Sequence, residues 1–106
     1  MMLVTFEFEV SPSGEKEYFA LAESLRAELE AIDGFISIER FESRCVAGHF
    51  LSLSVWRDEA AIRAWREASA HRAGQIRGRN GIFARYHIRV AQVVRDYDFA
   101  AETKAA

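Results

Sequence analysis

Residues 2–10 alternate between two kinds of position. Val4, Phe6, Phe8 and Val10 fall on one side, and Leu3, Thr5, Glu7 and Glu9 on the other. A period of two predicts a half-buried strand, one face wholly apolar and the other partly wet. Ser11-Pro12-Ser13-Gly14 breaks the pattern. Ser11, with Pro12 at the first helical position, or Ser13 can cap the helix that follows. Glu15 and Glu17 then sit where the helix dipole favours them. Tyr18, Ala22, Leu25, Leu29 and Ile32 recur at spacings of four, three, four and three, a helical stripe. Asp33-Gly34 closes the helix, with Gly34 suited to a left-handed position.

From Phe35 the alternation returns. Phe35, Ser37, Glu39 and Phe41 oppose Ile36, Ile38 and Arg40, and residues 43–48 read as a hairpin connection. His49–Trp56 is a third strand, with His49, Leu51, Leu53 and Val55 on one face and Phe50, Ser52, Ser54 and Trp56 on the other. Asp58 is a good N-cap for a second helix, whose inner stripe is Ile62, Trp65, Ala68 or Ser69, and Arg72. Gly74 and Gly78 weaken its far end, so a kink, or an end near residue 73 with an irregular arm to Gly81, is expected. Residues 82–94 make a last strand, with Tyr86, Ile88 and Val90 opposite Arg85, His87 and Arg89.

The order β-α-β-β-α-β is the ferredoxin-like plan: an α+β domain with a four-stranded antiparallel sheet and both helices on one face. The other sheet face reads as too apolar for water, with Phe, Ile, Leu, Tyr and Ser positions, and two such faces bury each other in a homodimer. The last strand is longer than its partners need and could reach across that dimer. Residues 2–97 form a single domain, and 98–106 read as a flexible tail.

Composition adds exclusions. A chain of 106 residues, half of them hydrophobic, can hold a core without staples. A net charge of −2 argues against a nucleic-acid footprint. The single cysteine, Cys45, rules out an intrachain disulfide and points to a reducing, cytoplasmic setting. The acids within the first apolar stretch make it a strand and not a signal peptide, and no run is long enough to cross a membrane. The histidines lack the spacing of a helix metal site, so no metal is expected.

Candidate chemistry gathers in residues 54–79. Trp56, Trp65, His71, Gln75 and Arg79 lie close in sequence, and two readings fit them: a small-molecule pocket, or a helix-on-sheet core. Trp65 sits on the buried stripe, and Trp56 ends a strand. His71 has the titration range of a general base but equally suits a structural hydrogen bond. Gln75 follows it by one helical turn. Tyr86 lies on an apolar face where its hydroxyl needs a partner. His49 is a further polar candidate.

This order, with Trp56, Trp65, His71, Gln75, Gly78-Arg79, Tyr86 and the Arg95-Asp96-Tyr97 ending, resembles the antibiotic biosynthesis monooxygenase domain family of dimeric α/β-barrel proteins. The likeness covers roughly residues 2–97 and is most specific over Leu53–Tyr86. The resemblance implies two activities. Some members oxidise phenols to quinones with O₂ and no cofactor. Trp65 would then wall the substrate ring, with His71 as base or hydrogen-bond partner and Gln75, Tyr86 and Arg79 around a phenolate. Trp56 and His49 complete the substrate-binding set. Other members open haem, using an Asn on the first strand, a Trp on the second helix and an iron-ligating His near its end. Trp65 matches, but Gln75 stands in the place of the His and the first strand has no Asn. Haem is thus the weaker expectation. A non-catalytic dimeric binding module remains open as well. The expected partners are a second copy, a small aromatic substrate and O₂, with no nucleic acid or membrane.

Overall fold

A computed structural model describes residues 1–12, 14–75 and 83–101, with residues 69–75 described by their backbone. The elements are β1 (Met2–Val10), α1 (Glu15–Glu30), β2 (Phe35–Glu42), β3 (His49–Trp56), α2 (Glu59–Gln75) and β4 (Phe83–Gln92). The sheet order is β2-β3-β1-β4, and each neighbouring pair is antiparallel. This is the expected α+β ferredoxin-like architecture.

Cross-strand register sets the two faces. Phe8 stands between Phe50 and Tyr86, Phe6 between Ser52 and Ile88, and Val4 between Ser54 and Val90. These rows face the helices, because Phe8 packs with Tyr18 of α1 and Trp56 with Ile62 of α2. Phe8 is 1% exposed, its ring centroid 4.6 Å from Tyr18 and 5.5 Å from Phe50. Burial of one such ring contributes about 1.5–3 kcal/mol. The Tyr18 and Leu29 positions of the α1 stripe are buried as its spacing required.

Several expectations change. The α1 N-cap is Gly14, with no side-chain cap bond, so Ser11 does not cap the helix; Ser13 lies outside the described residues. The register of β2 shifts between Phe35 and Ser37. Phe35 therefore joins Ile38 on the helix side, against Trp56 at 5.4 Å, while Ile36 is exposed. The Tyr, Ile and Ser positions assigned to the outer face lie on the helix side instead. Outside are Leu51, Leu53 and Val55, with an ion pair between Glu7 and Arg89 at 2.9 Å. The last strand spans 10 residues, short of the 13 expected. The helix α2 runs to Gln75, and the arm to Gly81 lies outside the described residues, as do tail residues 102–106.

Two local devices fix the entry to the second half of the chain. Gly34 has φ +95°, and a Cβ there would come within 2.8 Å of Ala61 Cβ, so a side chain is refused on both counts. Asp58 caps α2 as expected, its Oδ1 accepting from the Ala61 N–H at 2.9 Å.

Candidate ligand cleft

The helices leave part of the inner sheet face uncovered. Tyr86, Ile88 and Val90 of β4 face the helix side yet are 61%, 52% and 45% exposed. Between them and the helices opens a cleft of about 1110 Å³. That is slightly above the volumes typical of small-molecule sites, about 300–1,000 Å³. Its lining is mainly apolar: Val4 and Phe6 on β1, Leu25 on α1, Ile62 and Trp65 on α2, and Ile88 on β4.

The depth follows from β3. Its two central inward positions are serines, so the middle of the floor lacks bulk. Ser54 is committed locally: its Oγ accepts from the Trp56 indole N–H at 2.9 Å and lies 3.5 Å from the Val4 carbonyl. Trp56, 1% exposed, is thus a satisfied core residue that also borders the cleft. Tyr86 stands edge-on to Phe6 at 5.5 Å and to Phe83 at 5.8 Å, an aromatic wall on the open side.

Among the sequence candidates, the structure brings Trp56, Trp65 and Tyr86 to one cleft. His49 is not with them. It lies on the outer face, its Nδ1 4.0 Å from Glu9 Oε1, with the sheet between it and the cleft. The positions of His71 and Gln75 fall in the last turns of α2 beyond Trp65, while their side chains lie outside what is described; Arg79 lies outside the described residues.

Sequence reasoning missed the polar residues of the cleft, among them the exposed Arg63, Arg66 and Glu67 on its α2 edge. Tyr18 and Arg40 also line the cleft, and Arg40 Nε donates to Tyr18 Oη at 3.3 Å. The signal was present: Arg40 shares the parity of Ile38, and a tyrosine leads the buried stripe of α1, where its hydroxyl needs a partner. Titration is perturbed elsewhere, where the α1–β2 turn meets the β3–α2 turn. Arg57 grips Asp33 through Nη1 at 3.2 Å and Nη2 at 3.1 Å, and Asp58 through Nε at 3.0 Å. The hydrogen bond and charge of Arg57 hold the Asp33 carboxyl below its ordinary range, and the Ala61 N–H followed by Arg57 does the same for Asp58.

The described part of the cleft offers haem no imidazole or thiolate ligand. Among the described residues lining the cleft there is no histidine, cysteine or asparagine, and the inward positions of β1 are apolar. Nor do the described residues contain a cluster of His, Cys, Asp or Glu able to hold a metal ion. No described helix is long and apolar enough to cross a membrane.

A ferredoxin-like domain with an apolar, ligand-sized cleft between helices and sheet is the class that fold and site define. The chain belongs to the antibiotic biosynthesis monooxygenase family, which it matches over residues 1–77. It is 45% identical over 93 residues to the jasmonate monooxygenase ABM of Pyricularia oryzae, covering 88% of this chain and 43% of that protein. The chain thus spans less than half the length of that relative. Among solved structures it is similar to a haem degrader of Mycobacterium tuberculosis, MhuD, with two haems bound in its active site (TM-score 0.71, 16% identity, 92% of this chain and 100% of that one). A candidate antibiotic biosynthesis monooxygenase from Deinococcus radiodurans gives a TM-score of 0.77 at 14% identity, covering 95% of this chain and all of that one. At such identities the structural likeness shows the fold alone.

Proposed function

We propose that the chain is a monooxygenase that oxidises a small, largely apolar phenol- or quinol-type molecule with O₂ in the cleft between α1, α2 and the sheet, without a cofactor. The observation that carries this is the shared lining of one cleft by Trp65 and Tyr86 in a chain of this family. A phenol can supply all the electrons. It loses its O–H proton, and ring carbon of the anion forms a C–O bond with O₂. The resulting hydroperoxide loses water, taking the ring hydrogen, and leaves a quinone. One oxygen atom stays in the product and the other leaves in the water. The protein's part is to hold the ring, stabilise the anion and keep bulk water out. Trp65 walls the ring. His71, with Gln75 one turn on, is the proposed base that takes the proton. Tyr86 and Arg79 complete the phenolate set.

The relative's printed substrate, a jasmonate, supports a second reading of the same cleft, in which the substrate is an alicyclic organic acid. Haem finds less support, since the described lining offers no imidazole or thiolate for iron.

The chain acts as a homodimer in this reading, two outer sheet faces closing on each other through Leu51, Leu53 and Val55. Val94, Tyr97 and Phe99 beyond β4 are exposed, as suits a segment that reaches a second copy.

Oxygen uptake by the metal-stripped protein tests the oxidation. A panel of hydroquinones and polycyclic phenols is run with wild type and Trp65→Phe, and spontaneous autoxidation is subtracted. Protein-dependent uptake that falls about tenfold or more in the variant is expected from a misplaced ring. No uptake across the panel would leave a binding module as the better description.

A further inference from the structure

We infer that Arg40, Tyr18 and Ser52 form a carboxylate-binding subsite at the β2 side of the cleft, so that the ligand is an organic monoanion with an apolar body. The inference rests on the cleft being the ligand site. The Arg40 side chain is half-buried on the inner face, its guanidinium carbon 5.9 Å from the Tyr18 ring centroid. Its Nε is occupied by Tyr18 Oη. Because that oxygen accepts from arginine, its own proton is free to donate outward. The two terminal nitrogens of Arg40 meet no carboxylate among the described residues. Glu42, two residues on and on the same face, stays beyond ion-pair distance. A half-buried guanidinium without a counter-charge is costly, and an anion entering the cleft removes that cost.

Ser52 supplies a third donor. It stands directly opposite Arg40 in the β2–β3 register and is 6% exposed. Its hydroxyl makes no hydrogen bond to a described residue, although Ser54, one position along the same face, makes two. The guanidinium fork, a phenol O–H and a serine O–H thus line the same side of the cleft beside an apolar floor, the donor set that a carboxylate fits. From β2 to the exposed Ile88 on β4 is three strand spacings, roughly 14 Å at about 4.8 Å each. The body of the anion lies along that floor, toward Tyr86.

The test uses matched acids and esters: jasmonate with its methyl ester, and 1-naphthaleneacetate with its methyl ester. Binding is measured by titration calorimetry at pH 7 to wild type, Arg40→Gln, Arg40→Lys and Ile88→Trp, with a thermal melt confirming that each variant is folded. In wild type each acid is expected to bind about tenfold or more tightly than its ester, as charge-assisted hydrogen bonds imply. Arg40→Gln weakens the acids far more than the esters and so removes that preference, and Arg40→Lys restores part of it. Equal affinities for acid and ester in wild type, an equal loss of both in Arg40→Gln, or no binding tighter than about 1 mM would each overturn the subsite. Ile88→Trp fills the floor and tests the cleft separately. It should weaken all four ligands. If it leaves them all unchanged, the ligand does not lie along that floor and the subsite falls with the cleft reading; if it weakens all four while Arg40→Gln keeps the acid preference, the cleft stands and the subsite alone fails.

Discussion

The indole N–H of Trp56 donates to Ser54 Oγ at 2.9 Å, two positions back on the same strand. With the indole 1% exposed, water has little access to that nitrogen. Ser54→Ala removes the acceptor and leaves the donor buried. The expected cost is about 1–3 kcal/mol. Urea unfolding should show a lower midpoint with an unchanged slope. An unchanged midpoint would mean that another acceptor takes over.

Gly34 meets two demands at once, a positive φ and a close approach to Ala61. Gly34→Ala is expected to destabilise by about 1–3 kcal/mol. Adding Ala61→Gly relieves the 2.8 Å contact but not the backbone strain, so the double variant should recover only part of the loss. Full recovery would assign the whole effect to sterics.

Arg57 couples the exit of α1 to the start of α2 through two exposed carboxylates. Both sit below the ordinary value of 3.8 in the folded chain. A depressed carboxyl adds stability that is complete above its unfolded value and is lost as pH falls through the folded one. The acid limb of the stability profile below about pH 4 should therefore flatten in Arg57→Gln, by a small amount because water and salt screen these groups. The causes separate the two residues. By NMR titration Asp33, lowered first by Arg57, should return toward 3.8 in the variant. Asp58, lowered first by the Ala61 N–H, should stay depressed. Equal return of both would contradict that assignment.

The homodimer proposal makes Leu53 a sensitive position, since it lies at the centre of the outer face on β3. Leu53→Arg should halve the sedimenting mass while the helical circular dichroism signal is retained. A wild-type chain that sediments as a monomer at every concentration would end the proposal.

The sequence carried the fold well because β1, α1 and β3 each keep one unbroken period. The β2 strand misled where a single register shift after the left-handed Gly34 reversed Phe35 relative to its neighbours. Local alternation holds no trace of such a shift; Trp56 on the adjacent strand is what draws Phe35 inward. Trp65 and Tyr86 were legible as site candidates from residue type, their place on a helical stripe and a strand face, and the family resemblance. The Tyr18–Arg40 contact was half legible: parity and stripe turn each residue inward, but their pairing joins residues 22 positions apart and exists only when α1 lies over β2. His49 illustrates the opposite failure, a chemically apt side chain that strand parity turns to the far side of the sheet.

The serine at position 52 of β3 sets a conflict between durability and use. A larger apolar residue there would knit the floor to the helices and raise the melting temperature, as cavity filling commonly does, whereas Ser54 is held by the Trp56 indole. The same change at position 52 would close the space a ligand needs. Laboratory evolution of this chain under heat alone should therefore replace Ser52 and return a tougher protein with less room for a ligand, while selection on turnover should hold it small.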